Sequence, residues 1–257
     1  MILLIAVCTF LGLMFGSFAN VCVYRIPRSE SIAFPGSHCP ACHHDIAVYD
    51  NIPLFSWLML AGKCRHCRVS ISWRYPLLEL LMGLSWGVLA WHYGLSPILL
   101  QALCLFFLLW VLTFIDIETG LLPNMLTFPG IALGLGFSLW LGDWQASLIG
   151  AAAGYSVFWL VARLFLWITG REGMGYGDFK LLAMLGAFMG WQALPFIVFV
   201  SSVVGALAGS LFLLLARRGF RTEIPFGPYL AVAGMVWFIW SEPVLAWYSG
   251  LLGISLH

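Results

Sequence analysis

The chain has 257 residues, of which 62% are hydrophobic and only 9% charged, and its net charge is +1. Soluble domains carry about a quarter of their residues as charges, so this composition excludes an ordinary soluble protein and predicts one whose solvent is largely lipid. The 27 glycines and 13 tryptophans agree, because Gly is tolerated in membrane helices and Trp gathers at the interfaces. The near-neutral net charge singles out no class of partner, and no nucleic acid is expected.

Taken in chain order, the segment from Met1 to Tyr24 has no basic residue ahead of its apolar run, and Arg25 and Arg28 follow it directly. That order reads as a retained first span with its N-terminus outside, not as a signal peptide. By the criterion of about twenty apolar residues per span, further spans are predicted at 76–93, 97–115, 124–141, 145–169, 179–191, 195–216 and 226–249. The fold class expected is an all-α polytopic membrane protein with about eight transmembrane helices and a small cytoplasmic zinc-binding insert. The segment 179–191 is short and interrupted by Gly, so it reads as a full span, a partial span or an extension of its neighbour. With eight spans, one side of the membrane receives Arg25, Arg28, Lys63, Arg65, Arg68, Arg74, Arg171, Arg217, Arg218 and Arg221, with Arg163 and Lys180 in spans close to it. The loops on the other side hold no Lys or Arg, and the positive-inside rule makes the basic side cytoplasmic.

The one sizeable soluble piece is an insert of about 26–75, too small to bury a convincing core without a staple. Four of the seven Cys residues supply one: Cys39-Pro-Ala-Cys42 and, after a spacer of 21 residues, Cys64-Arg-His-Cys67. Paired C-x-x-C knuckles suit tetrahedral zinc, each giving two thiolates through a tight turn. A disulfide pair is the alternative, which a reducing cytoplasm disfavours. His38, His43, His44 and His66 crowd the knuckles and are read as flanking residues, since four thiolates already close a structural site. Cys8, Cys22 and Cys104 are expected to be small buried hydrophobes. The organisation expected is therefore a first helix over 1–25, a tetracysteine insert over 26–75 and a transmembrane domain over 76–257.

Ionisable groups in or at the ends of spans are expensive and mark function by default. Asp116 closes the third span in Phe114-Ile115-Asp116-Ile117-Glu118, and Asp178 opens the sixth in Gly175-Tyr176-Gly177-Asp178-Phe179-Lys180. Two facing carboxylates that share a water and a proton provide the acid and base of peptide hydrolysis. The glycines before Asp178 would leave room for an extended peptide to approach. Ordinary interfacial acids, with Asp178 capping a helix, remain the alternative on spacing alone.

Several motifs together resemble the bacterial prepilin peptidases, also called type IV leader peptidases. They are Phe15-Gly16-Ser17-Phe18-Ala19-Asn20 running on to Arg25-Ile26-Pro27, the two knuckles, Trp73-Arg74-Tyr75-Pro76 with Glu79, Phe114-Ile115-Asp116 with Leu121-Leu122-Pro123-Asn124, and Gly175-Tyr176-Gly177-Asp178. Their order and spacing carry the likeness along most of the chain. It implies an aspartyl protease of the G-x-G-D type with Asp116 and Asp178 as its catalytic acids. The implied substrates are prepilins of type IV pili or pseudopilins of type II secretion, cut after a Gly at the cytoplasmic face of the inner membrane. It also implies N-methylation of the new terminus with S-adenosylmethionine, for which no glycine-rich nucleotide loop is visible. Asn124 departs from the pattern, since many relatives would carry Asp there.

Among the remaining residues, Glu79 and Arg74 are weak candidates for holding the methyl donor. For Glu79, a structural pairing with Arg74 or a neighbouring helix is the blander reading. Glu118 and Glu172 are placed to attract a basic leader or are solvated loop acids, and Lys180 is read as an interfacial lysine beside Asp178. Arg217, Arg218 and Arg221 read as a topology anchor near anionic headgroups. Trp140, Trp144, Trp191, Trp237, Trp240 and Trp247 are expected in interfacial belts. A protease without methyl transfer, and a zinc-stabilised scaffold or transporter with Asp116 and Asp178 on an ion path, are the competing functions. The sequence leaves the oligomeric state open.

Overall fold

A backbone in lipid must satisfy its own polar groups, and for a chain this apolar the helix is the local solution. The computed structural model describes residues 1–170, 175–216 and 225–252. Arg171, Glu172, Gly173, Met174, Arg217, Arg218 and Arg221, and the side chain of Trp247, lie outside the described residues. The helices are α1 (Ile2–Arg25), α2 (Phe55–Met59), α3 (Arg74–Tyr93), α4 (Pro97–Thr119), α5 (Asn124–Leu141), α6 (Trp144–Thr169), α7 (Tyr176–Met189), α8 (Ala193–Ala216) and α9 (Gly227–Leu252). Every predicted span is helical, and the described residues contain only two isolated β-bridges.

Six of these helices are long and apolar enough to cross a membrane, so the chain is a multi-pass membrane protein. The other two predicted spans fall short for different reasons. In α3 the apolar run is interrupted by Glu79 and His92. With 14 residues, α7 rises only about 21 Å, against a hydrocarbon core of about 30 Å.

The chain packs as two compact units, Met1–Ile115 and Asp116–His257. In the first, α1 and α3 meet through glycines four residues apart on each: Gly12 and Gly16 face Gly83 and Glu79 of α3, and Gly83 and Gly87 face Leu13 and Thr9 of α1. A Cβ on Gly16 would stand 2.6 Å from the Cα of Glu79, and one on Gly12 would stand 2.9 Å from the Cα of Gly83. Small residues let two membrane helices approach until their backbones touch, which is where their attraction comes from. The insert leaves the end of α1 and returns at the start of α3.

In the second unit α7 is the centre, buried along almost its whole length from Asp178 to Phe188. Gly134 of α5, and Gly150 and Gly154 of α6, pack against it, and Gly150 meets Gly186 backbone to backbone. A helix shielded by protein on so many sides has no need to match the bilayer, which accounts for its length. The helix α9 bends at Trp240 (φ −119°, ψ 28°), three residues before Pro243, whose ring and missing N–H disrupt the preceding turn. Trp140, Trp144, Trp191 and Trp240 are exposed, as a belt requires. Trp237 departs from that expectation: it is buried and packs on Phe196 with ring centroids 5.3 Å apart, because it lies on the face of α9 turned to α8.

Candidate active site and metal centre

The insert is built from one turn used twice. In the first knuckle the Cys39 N–H donates to His44 O, the His43 N–H to Cys39 O, and the Ile46 N–H to Ser37 O. In the second, at the same offsets, Cys64 donates to Val69 O, Arg68 to Cys64 O, and Ile71 to Gly62 O. The residue four after the first cysteine is left-handed in both, His43 at φ 56° and Arg68 at φ 60°. This repeat brings the sulfurs of Cys39, Cys42, Cys64 and Cys67 within 4.8 Å of one another, with no histidine joining the cluster among the described residues. Zinc with Zn–S bonds of about 2.3 Å at the centre of a tetrahedron sets its sulfurs about 3.8 Å apart, and Cys39 Sγ and Cys67 Sγ are 3.8 Å apart. All seven cysteines are free thiols, so the disulfide alternative is not realised. Backbone N–H groups of Cys67 and His66 directed at Cys64 pull its thiol down to about 6, whereas burial and the sulfurs of Cys42, Cys64 and Cys39 push the Cys67 thiol up to about 11. The donor set and its spacing are compatible with a metal ion. His44 and His66 stack on each other with ring centroids 3.5 Å apart, as flanking residues.

The two acids occupy complementary helix ends. Asp116 sits in the last turn of α4 and Asp178 in the first turn of α7, and both are buried, at 5% and 8% exposure. The Gly227 N–H, opening α9, donates to Asp116 Oδ2 at 3.0 Å in a buried hydrogen bond. The Gly175 backbone hydrogen-bonds to the Asp178 carboxylate, and the charge of Asp116 is felt at Asp178. The structure thus brings the two predicted acids together, each fixed by a glycine N–H. A Cβ on Gly227 would come within 2.6 Å of Asp116 Oδ2, so only glycine allows this approach. Gly177 serves packing rather than access, since a Cβ there would stand 2.7 Å from Leu122 Cβ.

The flanking candidates divide. Lys180 Nζ donates to Asn124 Oδ1 at 2.6 Å and lies over the Phe128 ring, so the amide at position 124 holds the lysine. Glu118 is exposed. In the first unit, Glu79 Oε2 accepts the Leu54 N–H at 2.7 Å, and Glu79 also hydrogen-bonds Ser17. Leu54 is a non-glycine residue at φ 61°, so Glu79 pins a costly turn of the insert to α3. Arg74 stacks over Tyr75. Cys8 and Cys22 are buried and Cys104 half-buried in apolar helices. The residue that sequence reasoning missed is Gly227. Its only mark is a Gly-Pro pair at the start of an apolar run, which spacing cannot connect to an acid 111 positions earlier.

Residues 10–93 match the bacterial peptidase A24 N-terminal domain, and residues 102–210 match the type IV leader peptidase family. A prepilin leader peptidase/N-methyltransferase of Stutzerimonas stutzeri is 45% identical, over 93% of this chain and 91% of its own length. Proteins of the same name from Pseudomonas aeruginosa and Neisseria gonorrhoeae are 41% and 42% identical, covering 96% and 91% of this chain and 94% and 90% of their own. No solved structure gives a significant match. With both domain matches in order, and relatives of this identity aligned over nine-tenths of the sequence, the chain belongs to the type IV leader peptidase family.

Proposed function

We propose that this chain is a membrane aspartyl endopeptidase that removes the leader of prepilins or type II secretion pseudopilins after a Gly, and that it methylates the new N-terminus with S-adenosylmethionine. The observation that carries the protease reading is the placement of Asp116 and Asp178: buried, on two different helices, within electrostatic reach of each other and each held by a glycine backbone. Two carboxylates so placed share one proton, because like charges at short range resist ionising together. The ionised member takes a proton from the attacking water while the protonated member gives its own to the scissile amide. Their seats on helices keep the pair oriented before substrate arrives.

The prepilin and methyl-transfer parts rest on the names of the relatives. S-adenosylmethionine, when bound, would supply the methyl group, and the new terminal amine would accept it and release the surplus proton. In this reading 1–25 is the first membrane helix, 26–75 a cytoplasmic insert and 76–257 the protease domain. Zinc is the metal assigned to Cys39, Cys42, Cys64 and Cys67, and it is structural, since four thiolates leave no open position. Placement in the inner membrane with the acids on the cytoplasmic side is supported by the basic residues, of which ten fall on alternate connections and none on the others, with Arg163 and Lys180 in spans close to the basic side.

The test is to incubate the detergent-purified chain with a prepilin-type substrate and S-adenosylmethionine and to read the product N-terminus by mass spectrometry. Cleavage after the leader Gly with one added methyl group is the expected result. Cleavage without methylation reduces the function to the protease alone. A folded, zinc-loaded chain that cuts no such substrate would instead favour the transporter or scaffold reading.

A further inference from the structure

Asp116 and Asp178 sit on different helices and are held by different glycines, so the spacing between the two holds has to be fixed by a third element. The connection from α4 to α5 is placed to do this. At its start the Gly120 N–H donates to Asp116 O at 2.8 Å, and Gly120 takes a left-handed φ of 65°. That conformation costs glycine little, and it turns the chain off the axis of α4. At its end Pro123 holds an extended backbone (φ −63°, ψ 135°) ahead of α5. Between them Leu121 is exposed, whereas Leu122 is half-buried.

The Leu122 side chain lies against glycine backbone on two sides. A Cβ on Gly177, the residue before Asp178, would stand 2.7 Å from Leu122 Cβ and 3.2 Å from its Cδ1. A Cβ on Gly227, whose N–H holds Asp116, would stand 3.3 Å from Leu122 Cδ1, and the same point is 2.6 Å from Asp116 Oδ2. One leucine therefore touches the main chain beside one acid and the main chain that binds the other. A long side chain absorbs a contact by changing rotamer. Glycine has none to change, so a shift of Leu122 passes straight to the backbone.

We propose that Leu122 is a positioning residue for the acid pair, a spacer between the Gly177 and Gly227 backbones that sets the separation of Asp116 and Asp178. The proposal explains why glycine stands at both 177 and 227, since at each the room for a side chain is partly taken by Leu122. It also makes the short connection after α4 a brace folded back on the site. It rests on the protease reading above. Two carboxylates share a proton only at short range, and a displacement of about 1 Å in a catalytic group costs on the order of 10²-fold.

The experiment uses the full chain in detergent with a prepilin-type substrate. Leu122→Ala keeps the Cβ on Gly177 and removes the atoms that reach Gly227, and Leu122→Met preserves the bulk. Leu122→Ala is expected to lower kcat at least about tenfold with KM unchanged. It should also move the limbs of the kcat–pH profile, because their separation follows how strongly the two charges repel. Leu122→Met is expected to stay within about threefold of wild type, as volume-conserving exchanges do. The unfolding temperature in detergent reports whether each variant is folded, and Leu122→Cys, a milder truncation, is read in place of an alanine variant that is not. Wild-type kcat in a folded truncation overturns the spacer, as does a lowered kcat with unmoved limbs. A raised KM at unchanged kcat overturns it too, by making Leu122 a substrate contact. If wild type cuts while Asp116→Asn and Asp178→Asn do not, the protease reading stands in each of these cases and only the role of Leu122 is lost. A folded wild-type chain that cuts no such substrate removes both together.

Discussion

Cys39 and Cys67 are 28 positions apart and are brought together by two copies of one short turn, whereas Asp116 and the Gly227 N–H that fixes it are 111 positions apart and meet only through the tertiary fold of the second unit. A site written into local turns depends on its ligand for stability. A site assembled from distant helices depends on packing, and little in any one segment reveals it. The strongest way to test that contrast is at the acids. Asp116→Asn and Asp178→Asn are each expected to lower cleavage by at least about 10²–10⁴-fold, the range for general acid–base groups. The double variant should be scarcely worse than either alone, since the pair acts as one unit. Mass-spectrometric counting of cleaved substrate measures this, and near-wild-type cleavage in one variant removes that residue from the pair.

The metal centre should fail in another way. Small zinc domains draw about 10–16 kcal/mol from their ion, so Cys39→Ser is expected to lose zinc and disorder the insert. Methylation should be lost with it, and cleavage should fall less, because the acid pair is built from residues 116–227 alone. Elemental analysis of the purified variant gives the first reading, and the product N-terminus gives the second. Full zinc occupancy would show that fewer than four thiolates suffice.

Between these extremes lies Gly227→Ala. Its Cβ would stand 2.6 Å from Asp116 Oδ2 and must displace either the carboxylate or the start of α9. Displacements of about 1 Å in a catalytic group cost on the order of 10²-fold, and a loss of that size in cleavage is expected with membrane insertion intact. Gly227→Ala at wild-type rate would mean that the Gly227 N–H does not position Asp116.

These cases also indicate what a sequence makes legible. The eight helical segments, the four thiolates and the two acids were all accessible, because apolar run length, C-x-x-C spacing and charges at span ends are local signals. Three things were not. The repeat of the knuckle hydrogen bonds is backbone geometry that spacing alone does not encode. The burial of α7 depends on Gly134, Gly150 and Gly154 of other helices, so its short length suggested a doubtful span and not a central one. Trp237 has the composition of a belt residue and faces Phe196 only because of the rotation of α9.

The smallest effect is expected where the insert holds itself by charge. Arg65, inside the second knuckle, forms a two-pronged pair with Asp50, with Nε to Oδ2 at 2.7 Å and Nη2 to Oδ1 at 2.5 Å. The hydrogen bond from Arg65 holds the Asp50 carboxyl below its ordinary range. Because the carboxyl is depressed in the folded state, its contribution is present above the ordinary range near 3.9 and is lost only as pH falls through the depressed one. Around neutrality it is constant. Half of the arginine side chain is exposed, at 49%, so solvent and salt weaken the attraction. Arg65→Gln should therefore speed zinc release to a chelator by no more than a few-fold, equally at pH 7 and pH 8, and the difference should shrink as salt is raised. A large effect that salt does not reduce would show that Arg65 shapes the knuckle turn itself, and the insert would then depend on more than its four thiolates.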